Sequence, residues 1–429
     1  MKTLFLSQYF TPEPHETYGR RLAEWLAAHG HEIEVLTGIP NYPGGRVYDG
    51  YRIRWRQRQT IGALPVVRVP LYPSHDYTVR GRVLNYGSFA LAAATVGTAS
   101  VRPADVAFVY HPPATIGLAA LALKQFRSIP FVFHVSDMWP ESLVETGRLG
   151  EGRLRRVVER TVGAWCSLVY RHAAAVTVLS PGFKELLVSR GVPADKIHVV
   201  YNWADEVLFR PVGRDEELAE RLGLSGRFNV VYSGNVGVFQ GIESLVDAAS
   251  LLDDLPDVQL VVVGGGAHAG EIKQYAERTR ARNVRFVDRQ PAHVMPAINA
   301  LSDVMAIHLQ DREFFRSTIP GKTQVALASG RPVLMGVRGD AADLVKRARA
   351  GVCVQPGNPA SIAAGIRELH ALRADEREEM GRRGRDYYLA HLSLERAGRE
   401  MDGILRAAAG HARQSGRTRG QIDPLAPNV

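Results

Sequence analysis

Short apolar runs alternate with longer stretches of helical spacing from the first residues onward. Thr3 to Ser7 is an apolar run, Leu22, Trp25 and Leu26 repeat at helical spacing within Tyr18 to His29, and Glu32 to Thr37 is apolar again. Strand, helix, strand in that order is a parallel crossover unit. The same grammar predicts strands at Val66 to Val69, Val106 to Tyr110, Phe131 to Val135, Ala175 to Leu179 and His198 to Val200. Helices are predicted between them at Arg82 to Ser100, Ile116 to Arg127 and Gly182 to Arg190. After a charged segment, Ala204 to Arg227, a second series begins. Its strands are predicted at Asn229 to Ser233, Val258 to Val263, Val284 to Val287, Val304 to Ile307, Pro332 to Met335 and Val352 to Val354, each followed by a helical pattern. The pattern therefore predicts an α/β protein of two doubly wound domains in tandem. The first spans 1–204 and is completed by a helix at about 385–409; the second spans 205–384. The tail 410–429, rich in Gly, Pro, Gln and Arg, is predicted to be disordered.

Composition narrows the classes. The chain has 429 residues, 45% hydrophobic and 23% charged, which excludes a fibrous or wholly disordered protein. Its two cysteines, Cys166 and Cys353, lie in apolar stretches and offer neither a disulfide framework nor a Cys-based zinc site. The opening MKTLFLSQYFTPEPHE is too polar for a secretory leader, and Val83 to Val101, broken by Asn85, Ser88 and other small polar residues, reads as a buried helix rather than a membrane span. A cytoplasmic location is expected. The formal charge of +9 fits partners that carry phosphate: nucleotides, nucleic acid or anionic lipid. Arg46, Arg52, Arg54, Arg56, Arg58 and Arg68 cluster around a single acid, Asp49, and Arg153, Arg155, Arg156 and Arg160 add to the same half. This basic surface is expected either as an ordinary solvated face or as a contact with the inner leaflet.

Two glycine segments carry candidate chemistry. In VVVGGGAHAG, Gly264, Gly266 and Ala269 fit G-x-G-x-x-A after a strand, with Asp288 closing the next one, as in a dinucleotide site. That fingerprint belongs on the first strand of such a domain, whereas here another strand and turn precede it, so a tight structural turn is the competing reading. SGNVGVFQG places Gly234, Gly237 and Gly241 between a first strand and a helix whose free N–H groups favour an anion. A bare turn is the competing reading of this segment, but Lys322, in IPGKTQVALASGRPVL, falls at another helix start, and together these favour a diphosphate pocket. In the first domain FHVSDMWPES puts His134 near a strand end, where a structural histidine and a site residue are equal readings, followed by Asp137, Trp139 and Glu141. An indole can stack on a sugar and carboxylates can take its hydroxyls. The early loop with Glu13, His15 and Glu16, and His111 before Pro112 and Pro113, reach the same edge.

The ordered set QYFTPE, AAHGHEIEVLTGIPNYPGG, FHVSDMWPESL, VTVLSPGFKELL, KIHVVYNWADEVLF, YSGNVGVFQGIESL, VVVGGGA and PGKTQVALASGRPVL resembles glycosyltransferase family 4 over nearly the whole chain. Within that family it looks most like the branch that adds an amino sugar to a lipid-linked acceptor in bacterial polysaccharide synthesis. The resemblance implies a GT-B fold, two facing Rossmann-like domains with an interdomain cleft. It implies a nucleotide-sugar donor on the second domain and a lipid-linked acceptor on the first, at the inner membrane surface. It also implies retention of anomeric configuration, no metal or other cofactor, and a last helix that crosses back to the first domain. Carried over by position, His134 is similar to the histidine near the transferring sugar and Lys322 to the lysine of the branch's P-x-K signature. Gly234 and Gly237 match the glycine turn beneath the diphosphate, with Gly241 and Gly264 beside it. Asn235 and Gln240 stand where many members place Arg and Lys, which leaves neutralisation to Lys322 with help from Arg312 or Arg316. Ser317 and Val325 stand where many members have glutamates, with Glu313, Gln324 or Asp340 as candidate substitutes. Glu16, His111, Asp137 and Trp139 fall on the acceptor side.

Three other functions fit parts of this pattern. A nucleotide-sugar 2-epimerase would share the architecture and donor pocket, and an NAD-dependent oxidoreductase would use the second glycine segment. A nucleic-acid-binding protein would use the charge alone, but no recognition helix, zinc finger or aromatic RNA-binding motif accompanies it.

Overall fold

The computed structural model describes residues 1–14, 19–74, 78–142 and 152–420. They form two compact units, one of Met1–Leu179, Phe183–Val200 and the chain from Ala397 onward, the other of Ser180–Gly182 and Tyr201–Arg396.

In the first unit the apolar runs pair as a sheet in the order β3-β4-β2-β1-β5-β6-β7-β8. These are β1 (Lys2–Ser7), β2 (Glu32–Gly38), β3 (Gln57–Ile61), β4 (Leu64–Val69), β5 (Val106–His111), β6 (Phe131–Val135), β7 (Ala175–Val178) and β8 (Ile197–Val199). All pairings are parallel except β3 with β4. Helices α1 (Arg20–Ala28), α2 (Val79–Ala92), α3 (Gly117–Arg127), α4 (Arg153–His172) and α5 (Pro181–Ser189) connect the strands. Phe5, Leu36, Phe108, Val132 and Phe133 are fully or almost fully buried, and removing each such side chain from water contributes roughly 1.5–3 kcal/mol. Burial on both sides of the sheet is why its strands read as unbroken apolar runs.

Three expectations for this unit need correction. Strand β3 went unpredicted because QRQTI alternates half-buried and exposed positions at a sheet edge, where polar side chains are tolerated. Arg68 is not part of a surface cluster. Its side chain is buried, donates to Gly38 O (2.7 Å) and to Thr11 O, and lies over the Tyr51 ring. The helix expected to be buried between Val83 and Val101 begins at Val79, passes through a π-helical turn at Ala93–Gly97 and ends at Ser100. Only its inner face is buried, through Phe89, Ala90 and Ala93, while Val83 (62%) and Leu91 (60%) are exposed.

The second unit is a six-stranded parallel sheet in the order β11-β10-β9-β12-β13-β14. Its strands are β9 (Phe228–Asn235), β10 (Val258–Gly265), β11 (Val284–Val287), β12 (Val304–His308), β13 (Val333–Gly336) and β14 (Gly351–Cys353). The helices are α6 (Glu216–Leu222), α7 (Ile242–Ser250), α8 (Ala269–Arg278), α9 (Met295–Ala300), α10 (Gly321–Ala328), α11 (Asp340–Ala348), α12 (Pro359–Ala371) and α13 (Ala374–His391). This order is the doubly wound one, with the first strand, β9, in the middle. The direction of winding reverses between β9 and β12, and ligands of such sheets bind at the carboxyl ends of the strands beside that point.

The last helix, α14 (Leu394–Gly420), begins after a break at Leu392 and Ser393, where the Ser393 hydroxyl accepts from Arg396 N–H. It does not start near 385, nor does it stop at 409 as predicted. HARQSGRTRG contains helix-forming Ala, Gln and Arg and no proline, so nothing ends the helix there. Most of α14 belongs to the first unit, where Asp402 accepts from the His31 ring (2.6 Å) and from Arg406 (2.7 Å).

Candidate active site

The carboxyl end of β9 opens into a cavity of about 410 Å³ in the second unit. Ser233, Gly234 and Asn235 line it from β9, Gly264 and Gly265 from β10, and Lys322 and Val325 from α10. The glycine turn and the lysine meet because a Cβ at Gly234 would stand 2.7 Å from Lys322 Cε. Lys322 Nζ lies 3.6 Å from the centre of the Tyr232 ring and donates to the Tyr232 hydroxyl, which itself donates to Asn235 O (2.6 Å). Burial lowers the Lys322 pKa to about 7, and among the described residues no carboxylate forms an ion pair with it. Such a half-buried ammonium is an incomplete charge pair, one that an incoming anion would complete. The first turns of α10 line the cavity, and the glycine turn that leaves its β9 lip runs on into α7; the first N–H groups of both helices lack helical partners.

The other predicted donor residues separate into two groups. Gly237, Gln240 and Gly241 form the adjoining turn, in which Gln240 Oε1 accepts from Gly237 N–H (3.0 Å). Arg316, Ser317 and Asp340 do not line the cavity. Arg316 is exposed and ion-paired with Glu313 (3.0 Å), the Ser317 hydroxyl donates to Phe314 O (3.2 Å), and Asp340 accepts from Gly182 N–H (2.7 Å), a residue of this same unit. Arg312 lies over the Phe239 ring instead (5.0 Å). None of Glu313, Gln324 and Asp340, the suggested substitutes for missing glutamates, is among the residues that line the cavity. Sequence reasoning missed Arg289 and Gln290, which close the cavity past the end of β11. The available signal was VDRQ at a strand end, but it drew attention to Asp288, which faces solvent and pairs with Lys273 (3.0 Å).

On the first unit the corresponding edge is more buried than the sequence implied. His134 is 0% exposed, its Nδ1 2.8 Å from the Thr177 hydroxyl, and its pKa is lowered to about 3 by burial. His111 is equally buried. Trp139 is 8% exposed, its ring edge-on to His111 at 5.5 Å, so its face is not open for a sugar to stack on. Asp137, just past β6, remains partly exposed, and burial raises its pKa. Glu13 has a structural task, accepting from the backbone N–H groups of Asn41 and Tyr42 (both 2.8 Å). Glu16 lies outside the described residues.

Comparison with known proteins identifies the architecture. The family description "Glycosyl transferase 4-like domain" matches residues 15–203, and "Glycosyl transferases group 1" matches residues 227–371. The chain belongs to the family 4 glycosyltransferases. This glycosyltransferase is 27% identical over 384 residues to the putative colanic acid biosynthesis glycosyl transferase WcaI of Escherichia coli K12, covering 86% of this chain and 92% of that one. It is 24% identical to a GDP-mannose-dependent alpha-mannosyltransferase of Mycolicibacterium smegmatis, covering 87% and 90%. Its fold matches that of Anabaena HepE, solved in complex with UDP, with a TM-score of 0.70 at 17% identity over 95% of this chain and 100% of that chain. The glycosyltransferase thus has the GT-B fold. Gly264 and Gly266 serve that fold rather than a dinucleotide. A Cβ at either would press on the backbone of the β9 turn, at Gly234 O and Val236 O respectively.

Proposed function

We propose that this glycosyltransferase moves a hexosamine from a nucleotide diphosphate to a lipid-linked polysaccharide precursor, with retention at the anomeric carbon and without a required metal. Lys322, half-buried beside the β9 glycine turn with no carboxylate partner among the described residues, carries the donor half of this reading. The UDP complex of HepE and the GDP-mannose dependence in the mannosyltransferase's name support a nucleotide-sugar donor. The likeness to WcaI supports a polysaccharide precursor as acceptor. As the bond from C1 to the phosphate oxygen breaks, its electron pair stays on the diphosphate. Lys322 and the N-termini of α7 and α10 stabilise that charge. The acceptor hydroxyl bonds to C1 on the same face and gives its proton to the departing phosphate, so no separate base is needed.

Incubating the enzyme with UDP- and GDP-sugars and lipid-linked acceptors, then weighing the products, tests this reading. An acceptor heavier by one hexosamine is expected. A hexosamine inverted at C2 with no transfer would favour the epimerase instead.

Asp137 is the acceptor-edge group that a ligand can reach, whereas His134 is inside the sheet. Asp137→Asn is therefore expected to raise the KM for acceptor by about 10-fold, as loss of a charge-assisted hydrogen bond to a sugar hydroxyl predicts, with an unchanged melting temperature. His134→Ala is expected to lower the melting temperature; a loss of turnover without that change would return His134 to the catalytic set.

We also propose a peripheral contact with the inner leaflet. Trp55, 78% exposed, and Ile53 project among exposed Arg46, Arg52, Arg54 and Arg56, and no described helix is long and apolar enough to cross a membrane. An indole and guanidinium groups suit the headgroup region. Replacing Arg52, Arg54 and Arg56 with Gln is expected to weaken binding to anionic vesicles by about 100-fold at low salt, at roughly 1 kcal/mol per charge. Binding indifferent to salt and lipid charge would refute the contact.

A further inference from the structure

His308, the last residue of β12, is nearly fully buried and does not line the cavity. Its ring nonetheless reaches two loops. Nδ1 is 2.7 Å from Gln240 O, and Nε2 is 3.0 Å from Gly357 N. A backbone N–H can only donate, so Nε2 is the acceptor and Nδ1 carries the proton that goes to Gln240 O. The hydrogen bonds therefore select one neutral tautomer.

The surrounding sequence makes room for this ring. Gly336 is its neighbour on β13, where a Cβ would stand 2.5 Å from His308 Cδ2, and a Cβ at Gly241 would stand 3.1 Å from Cε1. Gly241 has φ +56°, so it also supplies the left-handed residue that leads the turn into α7. The turn is tied a second time, by Gln310 N–H donating to Phe239 O (2.8 Å). Both ties run from the end of β12 to consecutive carbonyls of one turn, Val238–Gln240, with Gln240 reaching back to Gly237 N–H. Position along this turn sets where the glycine loop and the start of α7 stand relative to Lys322.

We propose that His308 is a positioning residue for the donor, holding the Val238–Gly241 turn through its Nδ1–H so that the N-terminus of α7 meets the diphosphate. This rests on the reading of the cavity as a nucleotide-sugar site. Glu243 on α7 is the charged group that acts on the ring; it is itself 2.8 Å from His268, which also meets Glu271 (2.6 Å). Gly336 on β13, and Gln355, Gly357 and Asn358 in the loop before α12, bring no charge. Burial lowers the His308 pKa, in keeping with a ring that stays neutral at neutral pH.

Two amides divide the ring's functions. His308→Asn places an N–H where Nδ1 stands and abandons Gly357, whereas His308→Gln keeps an acceptor for Gly357 and abandons Gln240. UDP and GDP binding, measured separately by calorimetry, is expected to stay within about 3-fold of wild type for Asn and to weaken about 10-fold or more for Gln and Ala, as loss of one well-made hydrogen bond predicts. Equal losses in Asn and Gln, or losses that follow the melting temperatures, would overturn the role. Nitrogen spectra of histidine-labelled enzyme, assigned by the signal that disappears in His308→Asn, should show Nδ1 protonated and Nε2 bare; the reverse would also overturn it. Wild-type enzyme that binds neither nucleotide would overturn the donor reading itself. Variants that all bind like wild type would overturn only the part given to His308.

Discussion

Replacing Lys322 with alanine is expected to reduce kcat/KM for transfer by about 100- to 1,000-fold, the usual loss when one group that stabilises developing negative charge is removed. The protein should remain folded, because the ammonium opposes folding rather than supporting it. Its pKa falls from 10.5 to about 7 in the folded state. A depressed value means that the contribution of Lys322 to stability is fully present above 10.5 and is lost as pH falls toward 7, by about 1.4 kcal/mol per pH unit. Lys322→Met is accordingly expected to melt higher than wild type at pH 7 and to lose that advantage at high pH. Diphosphate binding should restore the charged form, so nucleotide affinity should fall as pH rises above about 7. Calorimetry across that pH range and melting curves of the variant check both signs. Transfer by Lys322→Ala within a few-fold of wild type would remove the lysine from the mechanism.

That lysine was legible in the sequence because its position depends on local signals: a proline, a glycine and a helix start. The parallel strands were legible for a related reason: the central strands are covered on both faces, so apolar residues such as Phe5, Val35, Phe108 and Val231 dominate them and only scattered polar residues interrupt the runs. The same burial sets His134 deeper than its place near a strand end suggests. FHV lies within β6, where every side chain is enclosed, and only past Val135 does the chain emerge, which leaves Asp137 and not His134 at the edge. Arg68 deceived in the opposite direction. An arginine among arginines looks like surface, yet two backbone carbonyls and the Tyr51 ring satisfy its guanidinium inside the unit. Arg289 and Val325 come to one cavity from 36 positions apart, the loop after β11 and helix α10, and no local pattern joins them.

The glycine run after β10 supports the second large effect. Gly264→Ala is expected to destabilise the second unit by roughly 1–3 kcal/mol or more, as overpacking does, and to abolish most nucleotide binding. Gly264 has φ +139°, which an alanine side chain resists, and it pairs in register with Gly234. The added Cβ would press on Gly234 O. Backbone cannot yield as a flexible side chain does, so the end of β10 must move away from β9, and the turn that faces Lys322 moves with it. Gly265 is the built-in control. Its φ is not in the left-handed region, and nothing lies within 4 Å of a Cβ placed there. Gly265→Ala should therefore unfold within about 0.5 kcal/mol of wild type, the usual range for a substitution that breaks no specific feature. Urea unfolding of the two variants, with UDP and GDP titrations on each, separates the cases. If the two neighbours behaved alike, the glycines would not be serving the close approach of β10 to β9.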